Sequence, residues 1–247
     1  MSKPHIVVVP GAWHDPSSMA SVTSKLESVG YTIYARKMPG VGASTPPKDL
    51  SEDVAALRAM VDKALATGSD VVVICHSWGG MVTGSALIGY SKHEREKHGK
   101  KGGVVKVGYL AAFMVPVGVS LKDAIGGTWP AWFDVQEPYV YPTDPAIFYN
   151  DISEAEQKRW FATLHSQTVA TMVAPATGAS WEEIPSAYLL CEDDRAIPAA
   201  GQEAMIQGAK DAGAQVDVTR IKASHSPFLS KVDDTVKWIR GVAGEGV

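Results

Sequence analysis

The sequence predicts an α/β fold, a mostly parallel six-stranded sheet flanked by helices with an inserted helical cap. Three observations carry that prediction. Short β-branched apolar runs alternate with amphipathic segments along most of the 247 residues, the rhythm of a parallel sheet covered on both faces. One run, Val71-Val72-Val73-Ile74-Cys75, stops at a small-x-Ser-x-Gly turn and leads into a helical stretch. The alternation then breaks once, over residues 113–183, a stretch too long to be a structureless connection.

Residues 6–9 form the first strand, ended by Pro10-Gly11. Residues 18–29 read as a helix closed by Gly30, and 31–36 as the second strand. The helix over 50–67 carries Glu52 and Asp53 in its first turn, where they complement the dipole, and Gly68 just past its end. Strand 71–75 follows, then 104–111. Between them Ser91–103 is a mixed-charge, Gly-ended stretch that reads as a solvated surface loop. Residues 113–183, rich in Pro and Trp, form the cap, with a capped helix starting at Ser153-Glu154-Ala155-Glu156 that puts Trp160, Phe161 and Leu164 on one face. The last strands are 187–191 and 216–221. Helices follow over 197–208 and over 231–242, where Val232, Val236 and Ile239 share a side. The domain reading is therefore a core of residues 1–112 and 184–247 around a cap of 113–183.

A hydrophobic fraction of 45% with 20% charged residues is ordinary soluble composition. Net charge −4 and a pI near 6.0 give no electrostatic footprint for nucleic acid or anionic membrane, so neither is an expected partner. The apolar run before Pro10 is too short for a signal sequence or a membrane span, and a cytoplasmic protein is expected. Cys75 and Cys191 each end an apolar run, as buried reduced thiols rather than as a disulfide or metal site. HExxH and paired CxxC motifs are absent, and Pro39-Gly40-Val41-Gly42 lacks the lysine of a phosphate-binding loop. No metal and no organic cofactor are expected.

The chemistry starts at Cys75-His76-Ser77-Trp78-Gly79-Gly80, the sequence form of a nucleophile elbow. A turn of this kind exposes the serine above the sheet edge while the next backbone N–H faces a developing oxyanion. A serine hydroxyl is barely ionised at neutral pH and needs a base, and the base needs an orienting acid. Of the seven histidines, His225 follows the last strand and so lies at the same sheet edge as the elbow, because parallel strands place their C-terminal ends together. The preceding strand ends in Cys191-Glu192-Asp193-Asp194-Arg195, and register favours Asp194 over Asp193 and Glu192 as the acid. The order Ser77, Asp194, His225 is the one that accompanies an elbow on this kind of sheet. The turn after the first strand, Pro10-Gly11-Ala12-Trp13-His14, supplies the second oxyanion donor, so the backbone N–H groups of Ala12 and Trp78 are the expected pair. Trp13 and His14 stand at the pocket rim.

These segments, with Ala223-Ser224-His225, resemble the α/β-hydrolase superfamily over essentially the whole chain. In pattern they are most similar to its branch of plant methylesterases, hydroxynitrile lyases and related small microbial esterases. The resemblance implies a cofactor-free Ser-His-Asp site beneath a helical cap. Members of that branch begin the oxyanion loop with His-Gly, where this chain has Pro10-Gly11. Its lyases carry a lysine after the catalytic histidine and a threonine in the oxyanion loop. Here those positions are Ser226 and Gly11, so hydrolysis is the expected reaction.

The reading that follows is a carboxylic ester hydrolase acting through an acyl-enzyme on a small molecule, a hydrophobic or aromatic ester or lactone. Aromatics concentrate between Trp129 and Phe161, and Trp129, Trp132 and Phe133 are the cap residues expected to line the pocket with Trp13 and His14. Two rival classes share these features: a lyase or cyclase using the same triad on a secondary metabolite, and a ligand receptor on the same fold. The sequence leaves the oligomeric state open, a homodimer included.

Overall fold

The computed structural model describes residues 3–246. Its main sheet holds six strands, β1 (His5–Val9), β2 (Ile33–Ala35), β3 (Val71–His76), β4 (Val104–Leu110), β8 (Ser186–Cys191) and β9 (Val216–Ile221). Their spatial order is β2-β1-β3-β4-β8-β9, and every neighbouring pair is parallel. Strands β5 to β7 belong to a second sheet, described below.

Strand periodicity sorts the apolar side chains into two cores. Val7, Val9, Val73 and Cys75 face one way and pack with Leu57 and Val61 of α2 (Ser51–Leu65), Val82 of α3 (Gly79–Ala86) and Ile206 of α9 (Ala199–Asp211). Ile6, Val8, Val72 and Ile74 face the other way, onto Val22 and Leu26 of α1 (Ala20–Ser28) and Val236 and Ile239 of α11 (Val232–Val242). Successive side chains of a strand point to opposite faces, so continuous Val/Ile runs cover both. That is the reason this sheet is parallel and central rather than half solvated.

The register aligns the strand ends. Val9 pairs with Cys75, His76 with Leu110, Leu110 with Leu189, and Cys191 with Ile221. The loops that follow β1, β3, β4, β8 and β9 therefore leave a common edge, as the fold class requires.

The predicted elements stand, with local differences. Helix α1 is preceded by a 3₁₀ turn at Pro16–Met19, capped by Asp15 through the Ser17 N–H. The charged stretch after Ser91 is not a loop throughout: it holds α4 (Lys92–Lys97), capped by the Ser91 hydroxyl on Glu94 N–H and laced by Glu94 with Lys97 and His98. Local capping and i,i+3/i,i+4 pairs suffice to fold it on the surface.

Between β4 and β8 runs the long inserted segment that the sequence reads as a cap, the name kept for it below. It contains α5 (Leu121–Ala124), β5 (Phe133–Gln136), β6 (Tyr139–Pro142), α6 (Ala146–Tyr149), α7 (Glu154–Phe161), β7 (Gln167–Thr168) and α8 (Val169–Val173). Strands β5-β6-β7 form an antiparallel sheet that the helical patterns did not announce. Ser153 and Glu156 make the reciprocal capping box of α7. Helix α10 (Pro227–Ser230) is a single turn between β9 and α11. Both cysteines are buried and reduced. Among the described residues no helix is long and apolar enough to cross a membrane.

Candidate active site

Strand β3 runs straight into Ser77, whose φ of 53° puts it in the left-handed region that a non-glycine residue occupies only under constraint. The surroundings hold it there. Ser77 N–H donates to Leu110 O (3.3 Å), and Phe113 N–H donates to Ser77 O (3.1 Å). Gly79 and Gly80 are sterically obligatory: a Cβ on Gly79 would meet the carbonyl oxygens of Pro10 (2.7 Å) and Val9 (2.8 Å), and one on Gly80 would land on the Phe113 carbonyl. Cys75 is fully buried at the end of β3, its thiol donating to Gly108 O at 3.6 Å.

After β8 the chain presents three carboxylates, and only Asp194 turns inward. Glu192 pairs with Arg220 (2.8 Å) on the surface, and Asp193 is exposed. Asp194 Oδ1 accepts the N–H groups of Ala196 (2.8 Å) and Ile197 (2.9 Å), while Oδ2 accepts from His225 Nδ1 (2.7 Å) and from Gln202 Nε2 (3.2 Å). Both members of the Asp194–His225 pair are buried. A carboxylate accepts, so Nδ1 of His225 is the donor of this bond, and Nε2 is left as the ring nitrogen that can take a proton. From the elbow, His76 Nε2 donates to the His225 carbonyl (2.9 Å), with the two rings 4.6 Å apart. Burial, then the neighbouring His225 and His14, holds His76 well below the ordinary imidazole range, so it stays neutral. The Ser77 hydroxyl forms no hydrogen bond to His225 here; it opens onto the pocket.

The turn after β1 comes against the elbow so closely that only glycine fits at position 11. A Cβ there would meet His76 Nδ1 at 2.8 Å and Ser77 Cβ at 2.9 Å. Among the described residues neither Ala12 N–H nor Trp78 N–H has an intramolecular acceptor, and both residues line the pocket beside Ser77. Trp13, itself at φ 64°, donates its indole N–H to Val140 O (3.0 Å) and so fastens the loop to the cap. His14 donates Nδ1–H to Ala12 O (2.7 Å) and accepts the Tyr149 hydroxyl on Nε2 (2.8 Å). Burial pulls His14 down to about 4 against the opposing effect of the Ala12 bond.

The pocket over Ser77 is narrow, about 30 Å³, and its walls are apolar: Trp13, Phe113, Leu121, Ile125, Pro130, Trp132, Phe133, Phe148 and Ile197. Of the residues expected to contact substrate, Trp13, Trp132 and Phe133 line it. His14 and Trp129 stand one layer back, His14 held between Ala12 and Tyr149 and Trp129 stacked on Phe133 at 5.4 Å. Sequence reasoning missed His76 and Gln202. The first is the residue that neighbours the serine and faces away from it. The second is one polar position on an amphipathic helix, and only its spacing from Asp194 hinted at a contact.

A parallel sheet that brings a positive-φ serine and a buried imidazole–carboxylate pair to one edge is the architecture of the α/β-hydrolase class. The chain belongs to that family: the model for the alpha/beta hydrolase family matches residues 6–238. It is 36% identical to the alpha/beta hydrolase nvfD of Aspergillus novofumigatus over all of this chain and 99% of that one. Its fold is similar to that of a pyrethroid hydrolase from Sphingobium faniae (TM-score 0.77, 20% identity, 99% of each chain covered). It is also similar to the methylesterase MES16 from Arabidopsis (TM-score 0.70, 21% identity, 97% of this chain and 99% of that one).

Proposed function

We propose that the protein is a serine hydrolase that cleaves a small hydrophobic or aromatic carboxylic ester, or a lactone, through an acyl-enzyme. The observation that carries this reading is the buried 2.7 Å Asp194–His225 hydrogen bond at the edge where Ser77 opens on an apolar pocket.

In this reading His225 Nε2 takes the proton of Ser77 as its oxygen attacks the ester carbonyl, a hydrogen bond that substrate entry completes. Asp194 holds the ring and stabilises the imidazolium. The tetrahedral oxyanion is met by the N–H groups of Ala12 and Trp78, which have no other acceptor to give up. The imidazolium then protonates the departing alcohol, and water, deprotonated by His225, releases the acid and restores Ser77. The apolar pocket wall suits neutral groups on both sides of the ester. No step calls for a metal or an organic cofactor.

A panel of p-nitrophenyl and methyl aryl esters, assayed with wild type and Ser77→Ala, tests the proposal. Turnover in wild type that falls by at least about a thousandfold in Ser77→Ala supports it; equal activity in both overturns it. In ¹⁸O-labelled water the acid product must carry solvent oxygen, and its absence assigns the site to lyase or cyclase chemistry instead.

A further inference from the structure

Four consecutive cap residues each reach a different part of the site. Phe148 forms a pocket wall, with its ring centre 5.9 Å from that of His225. Tyr149 donates its hydroxyl to His14 Nε2 (2.8 Å), and His14 in turn holds the Ala12 carbonyl of the oxyanion loop. Asn150 Nδ2 donates to Asp193 O (3.1 Å) in the acid loop, a contact it keeps although its own Oδ1 is buried without a partner. Asp151 Oδ2 accepts the N–H of Ser224 (2.9 Å), the residue before His225, and the hydroxyl of Ser230 (2.6 Å).

The loops so reached leave three different strands. The acid and base loops are also joined directly, Asp193 N–H to Ala223 O at 3.1 Å. Among the described residues, however, no hydrogen bond runs from residues 10–14 to either of them. The hydrogen-bonded links from residues 10–14 run through the cap, beside the packing of Gly11 on His76, which itself donates to the His225 carbonyl. The placement of Ala12 relative to the imidazole thus depends in part on Tyr149 and Asp151, which line no pocket wall, and misplacement by about 1 Å at such a site costs on the order of a hundredfold in rate.

We propose that residues 148–151 are a clasp by which the cap fixes the oxyanion loop in register with the acid and base loops, with Tyr149 and Asp151 as positioning residues. The inference rests on the reaction proposed above for Ser77, Asp194 and His225. Removing the Asp151 carboxylate frees Ser224 N–H and lets the His225 backbone shift. Removing the Tyr149 hydroxyl leaves His14 Nε2 buried and unpaired, and the Ala12 loop loses one of its ties to the cap while keeping those of Trp13 to Val140 and Gln167. Ester ground-state binding depends on the apolar walls, which both changes spare.

The test measures the rate of fluorophosphonate labelling at Ser77, with kcat and KM on an aryl ester, for wild type, Asp151→Ala, Asp151→Asn, Tyr149→Phe and Val236→Ala. Asp151→Ala and Tyr149→Phe should each slow labelling and kcat about tenfold or more with KM little changed. Asp151→Asn should recover most of the loss, since its amide oxygen still accepts both donors. Val236→Ala, which thins the packing of α11 on the opposite face of the sheet, should lower stability without slowing labelling. The combined Asp151→Ala/Tyr149→Phe variant should lose less than the product of the single effects, as members of one unit do. Labelling of both single variants within twofold of wild type, or equal slowing in Val236→Ala, overturns the clasp. If wild type itself resists labelling, the reading of Ser77 fails, and the clasp is judged on the downfield imidazole N–H proton resonance of His225. That resonance should broaden in Asp151→Ala and persist in Val236→Ala; identical spectra overturn it.

Discussion

Gln202 and Asp194 meet inside the core: the glutamine amide donates to Asp194 Oδ2 at 3.2 Å, the same oxygen that accepts His225 Nδ1–H. The amide also reaches Ile197 O (2.7 Å) and Cys191 O (3.1 Å), while Oε1 takes Cys191 N–H (3.1 Å). One fully buried side chain therefore closes the acid loop on itself and orients its carboxylate.

Gln202→Leu should strand those backbone groups, at about 1–3 kcal/mol for each left unsatisfied. A drop in the urea midpoint together with a lower kcat is expected. Gln202→Glu adds a negative charge beside the Asp194–His225 pair and favours the imidazolium, so the acidic limb of the kcat profile should move to higher pH. A profile superimposable on wild type would show that Gln202 packs the loop without tuning it.

His14 imposes a pH dependence on stability. Its folded value of about 4 lies below the ordinary 6.5, so between those values the unfolded chain holds the extra proton. Stability must then rise with pH across that window, and it is lost as pH falls from about 6.5 towards 4. His76, depressed by burial as well, acts in the same direction. Urea unfolding from pH 4 to 7 should give a shallower slope for His14→Gln than for wild type, and equal slopes would exclude His14 as a source.

Asp53 has the opposite sign. It is buried on α2, with Oδ1 accepting Gly40 N–H (2.8 Å) and Oδ2 lacking any partner. Burial pushes its carboxyl up to about 7. The folded state holds the extra proton between 3.8 and that value, so this group's contribution is fully present at low pH and lost as pH rises towards 7. Asp53→Asn keeps an acceptor for Gly40 and removes the charge. Its melting temperature should exceed that of wild type above pH 7, with the gap closing towards pH 4; a lower melting temperature at pH 8 would contradict this account.

Trp132 and Phe133 should control substrate size. Their rings pack 4.2 Å apart, and Trp132 contacts Trp13 and Phe148 as well, which leaves the pocket about 30 Å³. Pockets that take drug-sized ligands measure roughly 300 Å³ or more. Trp132→Ala should therefore raise kcat/KM for bulky aryl esters relative to acetate esters by about tenfold. An unchanged ratio would move the selectivity to the Leu121 and Ile125 side of the pocket.

Much of this protein was legible in its sequence because the relevant physics is local. The run from Val71 to Cys75 can bury both faces only as an inner strand, and Ser77-Trp78-Gly79-Gly80 gives the sharp turn the small residues it needs. The placement of Asp194 and His225 followed from one rule, that parallel strands shed their C-terminal loops at a common edge, and the observed register places both loops there. The helix of residues 92–97 and the small antiparallel sheet of the cap were missed: a charged six-residue helix has no apolar period, and β5 to β7 are two to four residues long.

What only the tertiary structure decided is which side chains meet. Gln202, His76, Tyr149 and Asp151 touch partners 8 to 149 residues away, and no periodicity or turn preference encodes such pairs. Trp129 and Trp132 look alike in the sequence, yet one ring walls the pocket and the other backs it. Hydrophobic patterning specifies which face of an element is buried. Hydrogen bonds between loops depend on how the packed elements are rotated and offset by fractions of a turn, and that is fixed only when all of them close on one core.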